Sequence, residues 1–126
     1  TTTWERWDAL KPDGTVNEEK MAGSGDNMVS FNHYAFGSVG EFYYQYILGI
    51  KPQKPGFEEL HFEPYPDRRL GGVSGSYLSR AGKIESSWKY EEDGCHISLN
   101  TPVKSEVVLP NGQRETVEEG TYQWLC

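Results

Sequence analysis

GKIESSWKYEEDGCHISLN, residues 82–100, alternates apolar and polar side chains on both sides of one turn signal. The alternation runs through residues 84–90 and starts again at residues 95–99. Successive side chains of a strand point to opposite faces, so each half predicts a half-buried β-strand. Asp93-Gly94 lies between the halves and is a strong hairpin signal. The stretch therefore predicts an antiparallel hairpin with one apolar face.

Further short strands are predicted on both sides of this hairpin. Asn111-Gly112 and the weaker Ala81-Gly82 are two more turn signals between apolar runs. A stretch rich in lysine and proline, residues 51–56, is interpreted as a linker. The remaining predicted strands are residues 60–63, 73–79, 105–109, 114–117 and 122–125. About seven short antiparallel strands at this spacing favour a β-sandwich over residues 51–126.

The preceding stretch, SFNHYAFGSVGEFYYQYILGI at residues 30–50, has helical periodicity instead. Ser30 is the predicted N-cap and Gly49 the predicted stop. Aromatic and aliphatic side chains fall on nearly every side of this helix. Such a helix is normally buried in a larger assembly. The sequence predicts no second helix to cover it.

Residues 1–29 read as a loop, with a turn at Pro12-Asp13-Gly14. Near its start, Glu5 stands between Trp4 and Trp7. Indole faces stack on sugars, and a carboxylate can take a proton from water, so this arrangement is typical of a sugar site. The alternative is that both tryptophans pack and Glu5 pairs with Arg6 or with solvent.

The predicted helix carries a further candidate. His33 falls in its first turn, beside the loop, where functional side chains often lie. The alternative is a histidine that only makes structural hydrogen bonds. His61 and His96 fall in predicted strands and are not interpreted as metal ligands. We predict no metal and no cofactor.

Composition and charge limit which kinds of partner the chain is expected to bind. The chain has 126 residues, a formal net charge of −7 and 13% aromatic residues. No basic surface is concentrated in either half, so nucleic acid and anionic membranes are poor candidates. The sequence contains no apolar run long enough for a transmembrane helix and no visible signal peptide. Cys95 and Cys126 are interpreted as two unrelated thiols.

Four pieces taken in order, WERWDALKPDG, SFNHYAFGSVGEFYYQYILGI, PGFEELHFEPYP and GKIESSWKY, resemble the C-terminal end of bacterial α-L-rhamnosidases, glycoside hydrolase family 78. The resemblance covers essentially the whole chain. It implies an α+β, mainly β, fold. Residues 1–50 would form the last loop and helix of an incomplete (α/α)₆ catalytic barrel, and residues 51–126 a C-terminal antiparallel β-sandwich.

The resemblance also implies an activity, the hydrolysis of terminal α-L-rhamnose from glycosides or polysaccharides with inversion, which uses two carboxylic acids. Glu5 resembles the general base. His33, Trp4, Trp7 and Arg6 resemble substrate-binding residues. The general acid matches nothing in this chain, so the isolated chain is expected to be inactive. Its partners would be a rhamnose-containing carbohydrate and the upstream barrel, and its uncovered helix would favour self-association.

Two other functions stay open for residues 55–126. One is a non-catalytic carbohydrate-binding module with Tyr77, Trp88 or Trp124 as stacking platforms, although core packing is the preferred interpretation of these rings. The other is a purely structural sandwich that caps the barrel. The loop over residues 18–28 is longer than this family usually has, which affects where His33 lies relative to Glu5. The resemblance implies a bacterial protein, and the sequence leaves open whether it is cytoplasmic, periplasmic or secreted.

Overall fold

The computed structural model describes residues 2–17 and 30–126. The chain divides into two compact units, Thr1–Gly40 and Glu41–Cys126, and each is described by itself. The long loop predicted over residues 18–28 lies outside the described residues. Among the described residues, no helix is long and apolar enough to cross a membrane.

The second unit is built from eight strands. They are β1 (Ile50–Pro52), β2 (Leu60–Phe62), β3 (Gly72–Leu78), β4 (Lys83–Glu91), β5 (Gly94–Thr101), β6 (Ser105–Val108), β7 (Arg114–Val117) and β8 (Gly120–Leu125). Two four-stranded sheets result, with the orders β1-β2-β6-β7 and β3-β4-β5-β8. Short 3-10 turns at Pro55–Phe57 and Arg68–Leu70 connect strands.

Both sheets contribute to one apolar core. Phe62 from the first sheet and Trp88 from the second are both fully buried and belong to a single cluster. The larger members are Ile50, Leu60, Phe62, Ile84, Trp88, Ile97, Leu99 and Val107. Sheets that share one core in this way form a sandwich. The predicted β-sandwich is therefore confirmed.

The hairpins of the second sheet and the β6–β7 hairpin also follow the prediction. Glu91 pairs with Gly94, Leu78 with Lys83 and Val108 with Arg114. Gly112 has a φ of 87°, a left-handed conformation that glycine adopts at little cost. Each predicted turn signal thus lies where a chain reversal occurs.

The prediction of an all-antiparallel sandwich was wrong for one pair. β2 and β6 run parallel, with Leu60 opposite Ser105 and Phe62 opposite Val107. A parallel pair needs a long crossover between its strands, and here the crossover contains all of β3, β4 and β5.

The predicted linker at residues 51–56 was also partly wrong, because β1 includes Lys51 and Pro52. Ile50 begins this strand and is 1% exposed, so the core holds it in place. Since β1 lies at the edge of its sheet, Pro52 removes no hydrogen bond from a central strand.

The predicted helix is present but is shorter and interrupted. It consists of α1 (Tyr34–Gly37), α2 (Val39–Phe42) and a π-helical turn (Tyr43–Ile47). His33, not Ser30, occupies the N-cap position. The prediction for Ser30 failed because its backbone N–H and carbonyl are both bonded to Glu5. Gly49, with a φ of 74°, follows the end of the helix as predicted.

Most aromatic side chains of this helical stretch are exposed. Tyr34 is 87% exposed, and Phe36, Phe42, Tyr43, Tyr44 and Tyr46 are each exposed by 40% or more. The part of the chain that the structure describes offers no second long helix to cover them. These aromatic side chains are therefore left exposed by the described residues.

Two hydrogen bonds from β4 fasten the end of the helical stretch to the core. Ser86 Oγ donates to the carbonyl of Leu48 at 2.7 Å, and Trp88 Nε1 donates to the carbonyl of Ile47 at 2.7 Å. The last carbonyls of a helix lack partners within the helix, so these two donors satisfy groups that would otherwise be buried unpaired.

An ion-pair cluster lies on the first sheet. Lys51 Nζ is 2.7 Å from Glu63 Oε2, and His61 Nε2 is 3.3 Å from the same oxygen. The hydrogen bond from Lys51, followed by the one from His61, lowers the pKa of Glu63 to about 2. Ionised Glu63 is therefore favoured by folding.

Ser86→Ala should lower the free energy of unfolding by about 1–3 kcal/mol, because the Leu48 carbonyl would remain buried without a donor. Urea unfolding followed by circular dichroism measures the change. Ser87→Ala is the matched control, since Ser87 is the next residue of β4 and faces away from the core; it should stay within about 0.5 kcal/mol of the wild type. Equal losses in the two variants would contradict this role of Ser86.

Glu63→Gln should lower stability by about 1 kcal/mol near pH 6, because Lys51 loses its partner and solvent partly screens the pair. The depressed pKa of Glu63 gives stability that is complete above its ordinary pKa and is lost as the pH falls towards about 2. The difference between variant and wild type should therefore shrink between pH 5 and pH 2. Urea unfolding across that range tests this, with the exposed Glu118→Gln as control, and parallel pH curves would refute it.

Candidate functional site

The candidate site is built where two distant segments of the first unit run side by side. The Glu5 N–H donates to the Ser30 carbonyl at 2.8 Å, and the His33 N–H donates to the Thr3 carbonyl at 2.8 Å. Thr3 Oγ1 also donates to the His33 carbonyl at 3.3 Å. These bonds bring the WERW stretch next to the residues that begin α1.

The Glu5 carboxylate is held by the backbone on one side. Its Oε2 accepts a hydrogen bond from the Ser30 N–H at 2.9 Å. The side chain is exposed, and its other oxygen takes no hydrogen bond from the described residues. One carboxylate oxygen is thus fixed while the other remains available to water or a ligand.

The two tryptophans on either side of Glu5 have different surroundings. Trp4 packs edge to face on Phe31, with ring centroids 5.3 Å apart, and is 40% exposed. Trp7 is fully exposed. A large, fully exposed indole is unusual in a folded unit. It indicates a surface that is suited to bind a ligand or a partner.

Both tryptophans and Glu5 line one cavity of about 790 Å³. Its other lining residues among those described are Thr2, Thr3 and Phe36. A mainly apolar cavity with a few polar groups is the usual form of a small-molecule site. Of the sequence-predicted residues, Trp4, Glu5 and Trp7 therefore meet in one cavity.

The Arg6 side chain contacts the loop after Trp7 and not the cavity. Its Nη2 donates to the Asn17 carbonyl at 3.3 Å, and its Nε lies 3.4 Å from Asp8 Oδ1. Asn17 in turn donates through Nδ2 to the Asp8 carbonyl at 3.0 Å. Arg6 thus fastens the segment after Trp7, and it is not among the lining residues of the cavity.

The loop after Asp8 contains the predicted turn at Pro12-Asp13-Gly14, which is confirmed. Asp13 Oδ1 accepts hydrogen bonds from the N–H and the hydroxyl of Thr15, at 2.9 and 2.7 Å. These bonds lower the pKa of Asp13. An aspartate that accepts from the residue two positions later is an Asx-turn, which keeps this loop compact.

His33 lies beside the cavity, at the N-cap of α1. Its ring stacks on Tyr34 and packs against Phe36, with centroid distances of 5.8 and 4.8 Å. Its Nδ1 is buried and has no hydrogen-bond partner among the described residues. The Nδ1 atom therefore gives no support to the alternative that His33 only makes structural hydrogen bonds.

One group of metal-type ligands was missed by the sequence analysis. His96 was expected to have no acidic neighbour at ligand spacing, but its ring lies with Glu91 and Asp93, and the three ligand atoms are within 4.8 Å of one another. His96 Nε2 is 2.8 Å from Asp93, a bond that raises the pKa of His96, and Glu91 is paired with Lys89. These exposed groups have partners, and nothing further marks them as a metal site.

The aromatic residues of the sandwich have their own structural roles. Trp88 is 1% exposed, so its interpretation as a core residue is confirmed and it offers no stacking platform. Trp124 stacks on Tyr122 and donates from Nε1 to Glu115. Tyr77 packs against Phe57 and Tyr44.

Sequence reasoning missed Ser30 and Phe36 as residues of the site. Phe36 lies three positions after His33, so helical spacing could have placed it on the same face. The role of Ser30 depends on backbone pairing across a long loop, and no local pattern indicates it.

The comparisons with known proteins first give the class, a glycosidase. Residues 1–47 match the model of the bacterial α-L-rhamnosidase 6-hairpin glycosidase domain. Residues 49–123, more than half of the chain, match the model of the bacterial α-L-rhamnosidase C-terminal domain. The chain therefore belongs to the bacterial α-L-rhamnosidase family.

Two relatives carry the name α-L-rhamnosidase. One, from Alteromonas sp. (strain LOR), is 37% identical over 112 residues, which cover 87% of this chain and 11% of the relative. The other, from Streptomyces avermitilis, is 32% identical over 126 residues, which cover 97% of this chain and 12% of the relative. The chain thus spans about a tenth of the length of the relatives that it matches.

Two solved α-L-rhamnosidase structures are similar to this chain over nearly its whole length. The α-L-rhamnosidase of Aspergillus terreus superposes with a TM-score of 0.77 at 33% identity, over 98% of this chain and 14% of that one. The Streptomyces avermitilis α-L-rhamnosidase, solved with L-rhamnose, gives 0.76 at 27% identity, over 97% of this chain and 13% of that one.

Trp7→Phe should reduce the quenching of tryptophan fluorescence by acrylamide, because it removes the indole that solvent reaches most easily. Stern–Volmer titrations of the folded chain measure the effect. The matched control is Trp124→Phe, which removes a half-buried indole and should lower the slope less. A larger decrease of the Stern–Volmer slope for Trp124→Phe than for Trp7→Phe would contradict this expectation. It would mean that other residues shield Trp7 from solvent.

Proposed function

We propose that this chain is the C-terminal part of an inverting α-L-rhamnosidase that releases terminal α-L-rhamnose from glycosides or polysaccharides. Residues 1–50 would complete an (α/α)₆ catalytic barrel, and residues 51–126 would be the β-sandwich that follows it. The family matches support this division, as do the exposed aromatic side chains of residues 34–46, which neighbouring barrel helices would cover.

Glu5 would be the general base. The observation that carries this assignment is that its carboxylate lines the cavity between two indoles, with one oxygen fixed by the Ser30 N–H and the other available. The available oxygen can take a proton from a water molecule as that water attacks the anomeric carbon. The water oxygen then forms the new bond on the face of the ring opposite the aglycone.

Inversion also needs a general acid. The acid would protonate the glycosidic oxygen as the bond to the anomeric carbon breaks. In inverting enzymes the two carboxyl groups are about 6.5–9.5 Å apart, which leaves room for the attacking water. Glu5 is the one acidic residue among the described residues that line the cavity. The acid would come from upstream sequence of the parent enzyme, as the family resemblance implies.

The remaining site residues would bind the sugar. Trp4 and Trp7 offer indole faces for the apolar side of a pyranose, and Trp7 is the more accessible. The Nδ1 atom of His33 has no hydrogen-bond partner among residues 2–17 and 30–126, and a small rotation of the ring could present it to a sugar hydroxyl. Arg6 is proposed as a substrate contact by resemblance, and its bonds to Asn17 and Asp8 favour a supporting role for the segment that carries Trp7.

For the sandwich we propose a structural role. Its buried Trp88 and the internal contacts of Tyr77 and Trp124 argue against a stacking platform on these three rings. These contacts favour a structural role over carbohydrate binding for residues 55–126.

In the full-length parent, Glu5→Gln should lower kcat for a chromogenic α-L-rhamnoside by about 10²-fold or more, because water loses its base. Glu91→Gln is the control, a carboxylate of the sandwich that pairs with Lys89, and it should keep wild-type turnover. Unchanged turnover in folded Glu5→Gln would make Glu5 structural. Proton NMR of fresh product from the wild type should detect the β-anomer first, and the α-anomer first would contradict inversion.

The isolated 126-residue chain should hydrolyse no rhamnoside and should self-associate, because its described residues supply one carboxylate to the cavity and leave the aromatic helical stretch exposed. A discontinuous activity assay and light scattering test the two expectations. A monomer with turnover that Glu5→Gln abolishes would refute the assignment of the acid to upstream sequence.

A further inference from the structure

Cys95 and Cys126 oppose each other directly in the second sheet. The Cys95 N–H donates to the Cys126 carbonyl at 2.8 Å, and the Cys126 N–H donates to the Cys95 carbonyl at 3.0 Å. This exchange of two hydrogen bonds defines a paired position in an antiparallel ladder. Directly opposed residues place their side chains on the same face of the sheet. The two thiols are therefore neighbours, not the unrelated groups that the sequence suggested.

The shared face is the core side of the sheet. Cys95 is 3% exposed and lies on β5 two residues before Ile97, which is also buried. Cys126 follows β8, is only partly buried and packs against the same core cluster. Both cysteines are free thiols, and solvent reaches Cys126 more easily than Cys95.

The spacing suits a covalent bond. Hydrogen-bonded antiparallel pairs have Cα atoms about 5.5 Å apart, and disulfides form across Cα separations of about 4.4–6.8 Å. The Cβ atoms of hydrogen-bonded pairs are about 5.5 Å apart, against about 3.8 Å in a disulfide, so closure requires the two segments to move together by more than about 1 Å.

Glycine at position 94 helps to bring the two segments together. A Cβ atom there would lie 2.8 Å from the carbonyl oxygen of Cys126, and Gly94 has a φ of 145°. A side chain at this position would push the Cys126 segment away from β5. The absence of one lets the final residues lie close to the start of β5.

We propose that Cys95 and Cys126 are an intramolecular disulfide site, which small-molecule disulfides of the glutathione type oxidise by thiol exchange. The Cys126 thiolate attacks the reagent, forms a mixed disulfide and releases one thiolate. Cys95, after losing its proton to solvent, attacks the Cys126 sulfur and releases the second thiolate. Two protein thiols are oxidised to one disulfide, and one reagent disulfide is reduced to two thiols.

The order of attack follows from the surroundings of the two thiols. Burial, followed by the neighbouring Cys126, raises the pKa of Cys95. Since the thiolate is the attacking species, Cys95 is the slower group towards an external reagent. It reacts readily once Cys126 carries a mixed disulfide, because the target sulfur is then the adjacent one.

Incubation of the reduced 126-residue chain with oxidised glutathione, followed by peptide mapping without reductant, tests the site. Mass spectrometry under denaturing conditions, which removes non-covalent association, should detect a single chain that has lost two hydrogen atoms, with one peptide pair joined through Cys95 and Cys126. The oxidised monomer should unfold at least about 5 °C above the reduced one, since the bond constrains the unfolded chain. Glutathione on both cysteines, or disulfide-linked dimers in place of the monomer, would overturn the proposal.

The single variants test the order of attack. Cys95→Ser should accumulate a mixed disulfide at Cys126, whereas Cys126→Ser should react at least about tenfold more slowly at Cys95 because of its burial. Circular dichroism confirms that each variant is folded. Equal rates in the two folded variants would overturn the assignment of Cys126 as the first nucleophile.

Discussion

The second unit depends on the hydrogen bonds that β4 donates to the end of the helical stretch. Ser86 and Trp88 lie on the core side of one strand and satisfy the carbonyls of Leu48 and Ile47. A chain that leaves a helix and enters a sheet must bury carbonyls that neither element can pair. Because β4 supplies both donors, the chain can turn at Gly49 and continue directly into β1 without a solvated linker.

The alternation of residues 82–100 was sufficient to predict β4, β5 and their hairpin, because side-chain period is a local property of strands. The parallel pairing of β2 with β6 was not predictable in the same way. A short strand such as Leu60–Phe62 has the same pattern whichever neighbour it joins. β1 was not predicted for another reason. Lys51 and Pro52 resemble linker residues, and it is their pairing with β2, beside the buried Ile50, that makes them part of a sheet.

Glu5, Trp4 and Trp7 could be proposed as a group from sequence, since they are neighbours in the chain and share one kind of chemistry. The hydrogen bond that fixes the Glu5 carboxylate could not be predicted from the sequence. The bond from the Ser30 N–H joins residues 25 positions apart, and it replaces the N-cap role that the sequence indicated for Ser30. Arg6 illustrates the same limit, because its bond to Asn17 depends on how the loop closes.

The parallel pairing of β2 and β6 has a consequence for the order of folding. β1 with β2, and β3, β4 and β5 with one another, pair as sequence neighbours and can form as soon as they meet, whereas the parallel edge of β2 must wait for β6. Closing a long loop before any contact compensates for it is slow. During synthesis the three-stranded meander can therefore form first, while one edge of β2 remains unpaired until β6 leaves the ribosome.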